Sequence, residues 1–531
     1  MIFVAIKILF FLILCLSFFK MVIYPVANLI RYRIQGVSII KYYPISGLWG
    51  ILQKDFKKYG DSLRFFKQVG IEHPDAKSLA INIGGNIALY LIDPEMIKEF
   101  YSLNCYQKSP FIVKMFSRVL GNGFLFDEIS HNRKRNIFSK LFHFDNLKQV
   151  VPKIEQITQN WVIQKCPLVK KTVQRIDMID LSQHISGDII TQQFFGINMN
   201  NQRYKEKTIP QNLYHLNTAT CNQMRTIRYI LTGTYTFDKG WCRFDRVVNE
   251  DIKNIKQILI DALYSRINKQ SQQQKQSQSQ EDFQVDTENS IIDQIIKNGY
   301  ILDKKSSDMS KQEKEELTKS NKILPEELLE EYLTFYLAGM ETTGHTVGFC
   351  FYFYCKYPHI GEKLRKEINQ HFSHDQPITY EKISQLNYLD CFIKEIFRFY
   401  GPTSTLMYRI ATQDHKIKDI EIKKGSMVNL AILTNFYNSK IFKNPEEFNP
   451  DRWLEKNQIN SYAYLPFSAG RRNCIGQHLG LLTIKIVFSV ILRDFEVTLT
   501  NPDYQMDRLQ KFVHGPSSPI YCNFERLKQK N

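Results

Sequence analysis

The stretch FSAGRRNCIG, Phe467 to Gly476, lies directly ahead of an apolar helical pattern, LGLLTIKIVFSVILRDF, Leu479 to Phe495. Cys474 therefore stands near a helix N-terminus. Unpaired backbone N–H groups and the positive end of the helix dipole favour a thiolate there, and Arg471 and Arg472 add positive potential. Gly470 permits a turn with positive φ, and Gly476 removes a side chain where a flat molecule could approach the backbone. Phe467 is placed to shield the sulfur from water. A single cysteine between arginines is more often an ordinary buried or redox-sensitive thiol, so the argument rests on the spacing of all five positions.

That spacing, Phe467, Gly470, Arg472, Cys474 and Gly476, resembles in full the cysteine-ligand loop of the cytochrome P450 superfamily. The resemblance implies haem b held by the Cys474 thiolate as axial ligand to the iron. It also implies a mainly α fold with a minor β part.

Four further segments are similar to family motifs and fall in family order. AGMETT, Ala338 to Thr343, resembles the oxygen-activation motif. Ala338 and Thr342 share a helix face at i, i+4, so Thr342 can donate to the Ala338 carbonyl. The resemblance has Gly339 leaving room for dioxygen, Thr342 holding the reduced oxygen and its water, and Glu341 with solvent supplying protons.

KEIFRFYGP, Lys394 to Pro402, carries Glu395 and Arg398 like the family's ExxR helix, and FNPDRW, Phe448 to Trp453, adds Arg452. Out of context an i, i+3 pair is a surface bridge worth a few tenths of a kcal/mol. The resemblance makes the three charges one buried lock that holds the haem loop. HNRKRNIFSKLFHFD, His131 to Asp145, resembles the WxxxR helix, with His131 replacing the tryptophan and Arg135 at the arginine position. His131, Arg135, Arg409 in YRIATQD and Arg472 are the implied partners of the haem propionates. A lone histidine in such a basic run otherwise reads as a solvated helix face. Gly480 and Thr483 depart from the family's usual alanine and glutamate.

Outward from the motifs, residues 1–24, MIFVAIKILFFLILCLSFFKMVIY, form an apolar run long enough to cross a bilayer of ~30 Å. Basic residues gather after it at Lys20, Arg31, Arg33 and Lys41, which places the rest of the chain in the cytosol by the positive-inside bias. A single-pass anchor in the endoplasmic reticulum membrane is expected, a cleaved signal peptide being the alternative. Residues 25–45 read as a basic, proline-containing linker and 46–531 as the haem domain. Within it, LAINIGGNIALYLIDP, residues 79–94, reads as a hairpin, and 145–265 as mainly helical. A long helix is predicted from Pro325 to about Lys356, ended by Pro358. The polar runs 269–284 and 304–322 read as exposed, partly disordered insertions.

The chain of 531 residues carries a formal charge of +17, which calls for a negative partner. No recognisable nucleic-acid motif interleaves basic and aromatic residues, so a membrane surface or an acidic protein is the better match. Ten cysteines without a CxxC pair speak against a zinc module or a disulfide framework. No nucleotide or flavin fingerprint is present, so electrons come from outside. By resemblance the donor is an NADPH-dependent cytochrome P450 reductase, with cytochrome b5 as a second possible partner. The implied reaction inserts one oxygen atom of dioxygen into a lipophilic substrate, the apolar stretches 109–126 and 403–407 being candidate pocket walls. A fatty acid, sterol, terpenoid or foreign compound fits equally. Three other readings stay open: a haem-thiolate isomerase or lyase acting on hydroperoxides, a non-catalytic haem sensor, and a membrane scaffold.

Overall fold

The computed structural model describes residues 2–40, 47–61, 63–83, 85–139, 142, 144–166, 174–196, 203–224, 226–276, 290, 293, 295, 309–320, 322–373, 376–403, 408–455, 459–509 and 513–527. Twelve helices matter for the site. They are α1 (Ile2–Phe18), α2 (Tyr24–Ile34), α3 (Pro110–Leu120), α4 (His131–Ser139), α5 (Phe144–Lys165), α6 (Met178–Phe195), α7 (Ile209–Met224), α8 (Arg243–Gln276), α9 (Lys311–Lys319), α10 (Pro325–Lys356), α11 (Asn387–Tyr400) and α12 (Gln477–Asp494). The strands are β1 (Ser78–Ile83), β2 (Asn86–Leu91), β3 (Tyr106–Lys108), β4 (Gln174–Asp177), β5 (Arg409–Ala411), β6 (Met427–Leu430), β7 (Phe495–Leu499) and β8 (Tyr521–Arg526).

Helix α10 runs from Pro325 to Lys356, as predicted, and is the axis of the larger core. Proline in its first turn lacks the N–H that would have no helical partner there, and the Glu327 carboxylate caps the Leu324 N–H. Helix α6 lies close along it because three glycines remove the side chains between them. A Cβ at Gly339 would stand 2.7 Å from Ile190 Cδ1, one at Gly344 2.9 Å from Gln183 Cα, and one at Gly348 2.5 Å from Ile179 Cδ1. Aliphatic and aromatic residues of α5, α6, α10, α11 and α12 complete this core. The unusual Gly480 and Thr483 leave α12 unbroken.

The smaller core sits under a five-stranded sheet of order β1-β2-β6-β5-β3. The predicted hairpin is its β1–β2 arm, antiparallel from Ser78↔Leu91 to Ile83↔Asn86. Gly85 at its tip has φ +84°, a conformation that favours glycine, and a Cβ there would sit tightly, 3.0 Å from Lys20 O. A second sheet, β7-β8-β4, closes the C-terminal end.

Two regions depart from the sequence reading. The linker assigned to 25–45 is folded up to residue 40: helix α2 carries on from α1 through a short π-helical turn, buries Leu29 and Tyr32, and Ser38 bridges to Leu79. Its apolar residues recur every three or four positions and so face the sheet. The polar insertions are also more ordered than expected. Helix α8 extends to Gln276, and α9 forms within the second run behind a Ser310–Glu313 capping box. Leu317 of α9 packs with Met309 and Leu324. The rest of both runs lies outside the described residues.

Candidate haem-binding and oxygen-activating site

The loop that carries Cys474 is closed by its own backbone, Cys474 N donating to Phe467 O at 2.9 Å. Gly470 takes the predicted positive φ, +66°. Ser468 also takes one, +61°, a conformation that strains a residue with a Cβ, and its hydroxyl is held at 2.8 Å from Tyr101 OH. The Phe467 ring meets Phe397 of α11 edge-on at 5.1 Å, which ties the loop to that helix.

The charges around the thiol differ from those expected. Arg471 reaches out to Asn104, and Arg472 binds Glu128 at 2.6 Å and the carbonyls of Phe124 and Asp127. The cation that acts on Cys474 is Arg135, whose guanidinium grips Asn473 O at 2.8 Å and the Asn473 side chain. Burial pushes the Cys474 thiol above its ordinary pKa, opposed by the Gly476 N–H and Arg135. The loop alone thus does not hold a free thiolate; a metal bound to the sulfur would.

His131 is buried at the start of α4, not on a solvated face. Burial takes its ring down to about 4, so it is neutral, with Nδ1 3.0 Å from Phe124 O and Nε2 3.3 Å from Arg471 O. Such a ring has one N–H to donate, so only one carbonyl is served. The basic run after it is buried too. Lys134 meets Asp127 and Glu331 at 3.1 Å each, and Arg133 binds Glu327. Glu331 also accepts the Phe124 N–H at 2.7 Å, and burial raises its carboxyl to about 7. Acids one helical turn apart on α10 are what draw this run inward. The spacing was visible in the sequence, but its target was not.

Arg409 lies on β5 in register with Lys108 of β3, and both sit near Arg472 and Glu128. Three cations gather about one carboxylate. Burial, with Arg409 and Arg472 adding to it, holds the Lys108 ammonium well below its usual pKa. Nothing in YQKSP marks Lys108 as part of a site.

On α10, Thr342 Oγ1 donates to Ala338 O at 2.7 Å, as the i, i+4 spacing predicts. Both residues are half-buried, whereas Leu337, Met340 and Glu341 around them are buried. Glu341 faces elsewhere: its Oε2 accepts from Asn217 Nδ2 of α7 at 2.7 Å. A Cβ at Gly339 would stand 2.7 Å from Ile190 Cδ1, so on that side the glycine makes room for α6.

The lock is formed as anticipated, and it is larger. Glu395 and Arg398 are fully buried and joined at 2.7 and 2.9 Å, Arg398 also donating to the carbonyls of Phe436, Pro445 and Glu447. Arg452 Nε reaches Glu395 at 3.0 Å, and Trp453 Nε1, missed in the sequence, reaches it at 2.9 Å.

Haem is a flat apolar ring with two carboxylates, and these residues fit it. Cys474 is exposed and yet surrounded closely enough that burial governs its thiol, as expected of a residue lining an internal recess. A Cβ added at Gly476 would meet only Phe142 Cε1, at 3.7 Å, so one wall of that recess is left open by the chain. The Lys108, Arg409 and Arg472 cluster has charge to match propionates. The side chains of Phe111 and Ile112, and all of 404–407, lie outside the described residues.

A family model, Cytochrome P450, matches residues 73–523. Cytochrome P450 3A12 of Canis lupus familiaris is 26% identical over 474 residues, 85% of this chain and 81% of the dog protein. Cytochrome P450 3A18 of Rattus norvegicus is 23% identical over 462 residues, 85% of this chain and 82% of the rat protein. Among solved structures, the haem domain of a cytochrome P450DA mutant superposes with a TM-score of 0.71 at 18% identity, covering 93% of this chain and 98% of that one.

Proposed function

The chain belongs to the cytochrome P450 family, and from that premise we propose that Cys474 is the axial ligand to its haem iron and that the protein oxygenates a lipophilic substrate. At the family level it is a haem-thiolate monooxygenase. The observation that carries the assignment of Cys474 is its setting: a sulfur that is accessible yet closely surrounded by the fold, beside open space at Gly476 and in a loop held by Arg135.

Haem bound through a thiolate supplies the activation of dioxygen and favours O–O cleavage. The chain supplies the rest. Arg135, through Asn473, holds the cysteine loop on α4. Lys108, Arg409, Arg472 and His131 are the proposed partners of the propionates. Thr342, lying on a half-open face of a buried helix, is placed to hold and pass a proton, and Glu341 is the acid that refills it. The pairing of an acid and an alcohol favours oxygenation over isomerase or lyase chemistry, which needs no proton delivery to dioxygen.

The substrate is proposed to be apolar, since α3, α7 and α10 all contribute aliphatic and aromatic residues to the larger core. Electrons are proposed to come from an NADPH-dependent reductase whose acidic surface suits a chain of charge +17, with cytochrome b5 as a second donor. Among the described residues one helix, Lys7–Ile34, is long and apolar enough to cross a membrane. We place its first part, up to Ile23, in the endoplasmic reticulum membrane, with α2 and the haem domain on the cytosolic side.

The test is the Soret band of the full chain, reduced under carbon monoxide in detergent, beside that of Cys474→Ser. A far-red-shifted band in the native protein that is lost in the variant supports thiolate ligation. A folded, haem-supplied native protein without that band sinks the assignment.

A further inference from the structure

The two polar residues in the middle of α10 serve different neighbours. Thr342 turns its hydroxyl back onto its own helix, at Ala338 O, on the face that is half open. Glu341, one residue earlier and about 100° around the helix, is only 1% exposed and reaches across to α7. There Asn217, itself 3% exposed, donates through Nδ2 to Glu341 Oε2 at 2.7 Å. Asn217 is in turn steadied on its own helix, where Cys221 Sγ donates to its Oδ1 at 3.8 Å. A buried carboxylate is costly without donors, so an amide at this distance fixes where it sits.

Helix α7 also packs away from α10. It is joined to α3 and α8 through Gln223, which accepts from Arg118 at 3.0 Å and donates to Asp245 at 3.0 Å. Any ligand that shifts α3 and α7 against α10 therefore acts on the Asn217 to Glu341 contact. The titratable groups around the acid are Tyr214 on α7, whose phenol is raised by burial and by Glu341, and His345 one turn further along α10. His345 is held by Gln183 of α6 at 3.1 Å, with Asp177 ahead of α6 and His514 ahead of Gly515 beyond them.

We propose that Asn217 is the positioning residue for Glu341: from α7 it turns the acid away from the Thr342 face, and so ties proton delivery at Thr342 to the placement of α7. This rests on the monooxygenase reading above. When the contact loosens, the Glu341 carboxylate swings to the Thr342 side, takes one proton from solvent and passes it on there, ending as the carboxylate it began. No electron moves in the step.

The experiment uses the full-length haem protein, reconstituted with a reductase, in four forms: native, Asn217→Leu, Glu341→Gln and the double variant. For each, the product formed per NADPH consumed is measured against pH, and the carboxyl infrared absorption that disappears in Glu341→Gln is titrated. Losing its amide donor, Glu341 in Asn217→Leu should titrate at least one pH unit higher. The pH profile of coupling should move with it while KM changes less than twofold. In the Glu341→Gln background, Asn217→Leu should change neither. A profile unmoved in Asn217→Leu, or losses that simply multiply in the double variant, would overturn the proposal. If Asn217→Leu does not accumulate as haem protein, Asn217→Ser, too short to reach the acid, takes its place in the same cycle. Absence of the thiolate-type carbon monoxide band in the native protein would instead bring down the reading beneath, and the proposal with it.

Discussion

Lys108 and Arg409 stand directly opposite each other in the antiparallel ladder of β3 and β5. Like charges in that position repel and destabilise a sheet. Burial, reinforced by Arg409 and Arg472, lowers the Lys108 ammonium well below its usual pKa. The folded chain therefore binds fewer protons here than the unfolded one, and this contribution to stability rises with pH up to about 10.4, where the unfolded lysine titrates. An anion between the two cations would relieve the repulsion. Lys108→Met should stabilise the haem-free protein by about 1 kcal/mol at neutral pH and speed haem loss several-fold. Thermal unfolding reads the first, and transfer of haem to an acceptor protein reads the second. Unchanged haem loss would remove Lys108 from the propionate partners.

Glu395 accepts five hydrogen bonds, two from Arg398 and one each from Arg452, Trp453 and the Asn449 N–H. Glu395→Gln removes the charge that balances two arginines, one of them fully buried, and should cost about 3–5 kcal/mol. Trp453→Phe removes a single donor to a carboxylate and should cost about 1–2 kcal/mol. Denaturant midpoints should rank the two variants in that order, and haem content should fall with them.

Gly339→Ala puts a methyl 2.7 Å from Ile190 Cδ1 and 2.8 Å from Cγ1. Overpacking of this kind typically costs about 1–3 kcal/mol. If the glycine is there for α6, Ile190→Val should recover part of that loss in the double variant. The position of the carbon monoxide band should stay put in both. A variant that folded with native stability but bound oxygen or carbon monoxide poorly would instead return Gly339 to the role the sequence suggested.

That pair marks how far the sequence reached. Local signals carried well: the proline at the head of α10, the i, i+4 spacing of Ala338 and Thr342 and the positive φ of Gly470 all depend on residues close in the chain. What the sequence did not show depended on partners more than a hundred residues away: a Cβ at Gly339 would meet Ile190, Arg472 pairs with Glu128, and Asn217 binds Glu341. Taken alone, the run HNRKR also fits a solvated face, because the acids that bury Arg133 and Lys134, Glu327 and Glu331, belong to another helix. Lys108 carried no local signal at all. The anchor's continuation was legible only in part, since Pro25 suggests a break but in the first turn of α2 lets the helix run on.

Asp188 is a buried acid in α6 that the site does not use. Its carboxylate accepts from Trp161 Nε1 at 2.5 Å, and burial raises its pKa to about 7. The unfolded residue titrates near 3.9. Between those values the folded protein keeps a proton that the unfolded chain releases, so stability falls as pH rises from about 4 to 7 and then levels. Asp188→Asn keeps the shape and the acceptor for Trp161 but has no proton to lose. It should gain roughly 2–4 kcal/mol above pH 7 and almost nothing at pH 4. Unfolding measured at both pH values checks this; an equal gain at both would assign the effect to packing.

Where the N-terminal helix can be cut follows from which of its residues are buried. Ile8 to Ile23 include many exposed apolar side chains, as a membrane segment would, whereas Pro25, Leu29 and Tyr32 are buried against the sheet and Val37 with them. Removing residues 1–23 should release the protein from membranes and leave its unfolding midpoint nearly unchanged. Removing 1–36 strips Leu29 and Tyr32 from the smaller core, and each large buried side chain lost typically costs about 2–5 kcal/mol. That is enough to remove most of the stability of an ordinary domain, so the longer truncation should accumulate poorly and lose haem. Equal stability of the two truncations would mean that α2 is held by the membrane and not by the sheet.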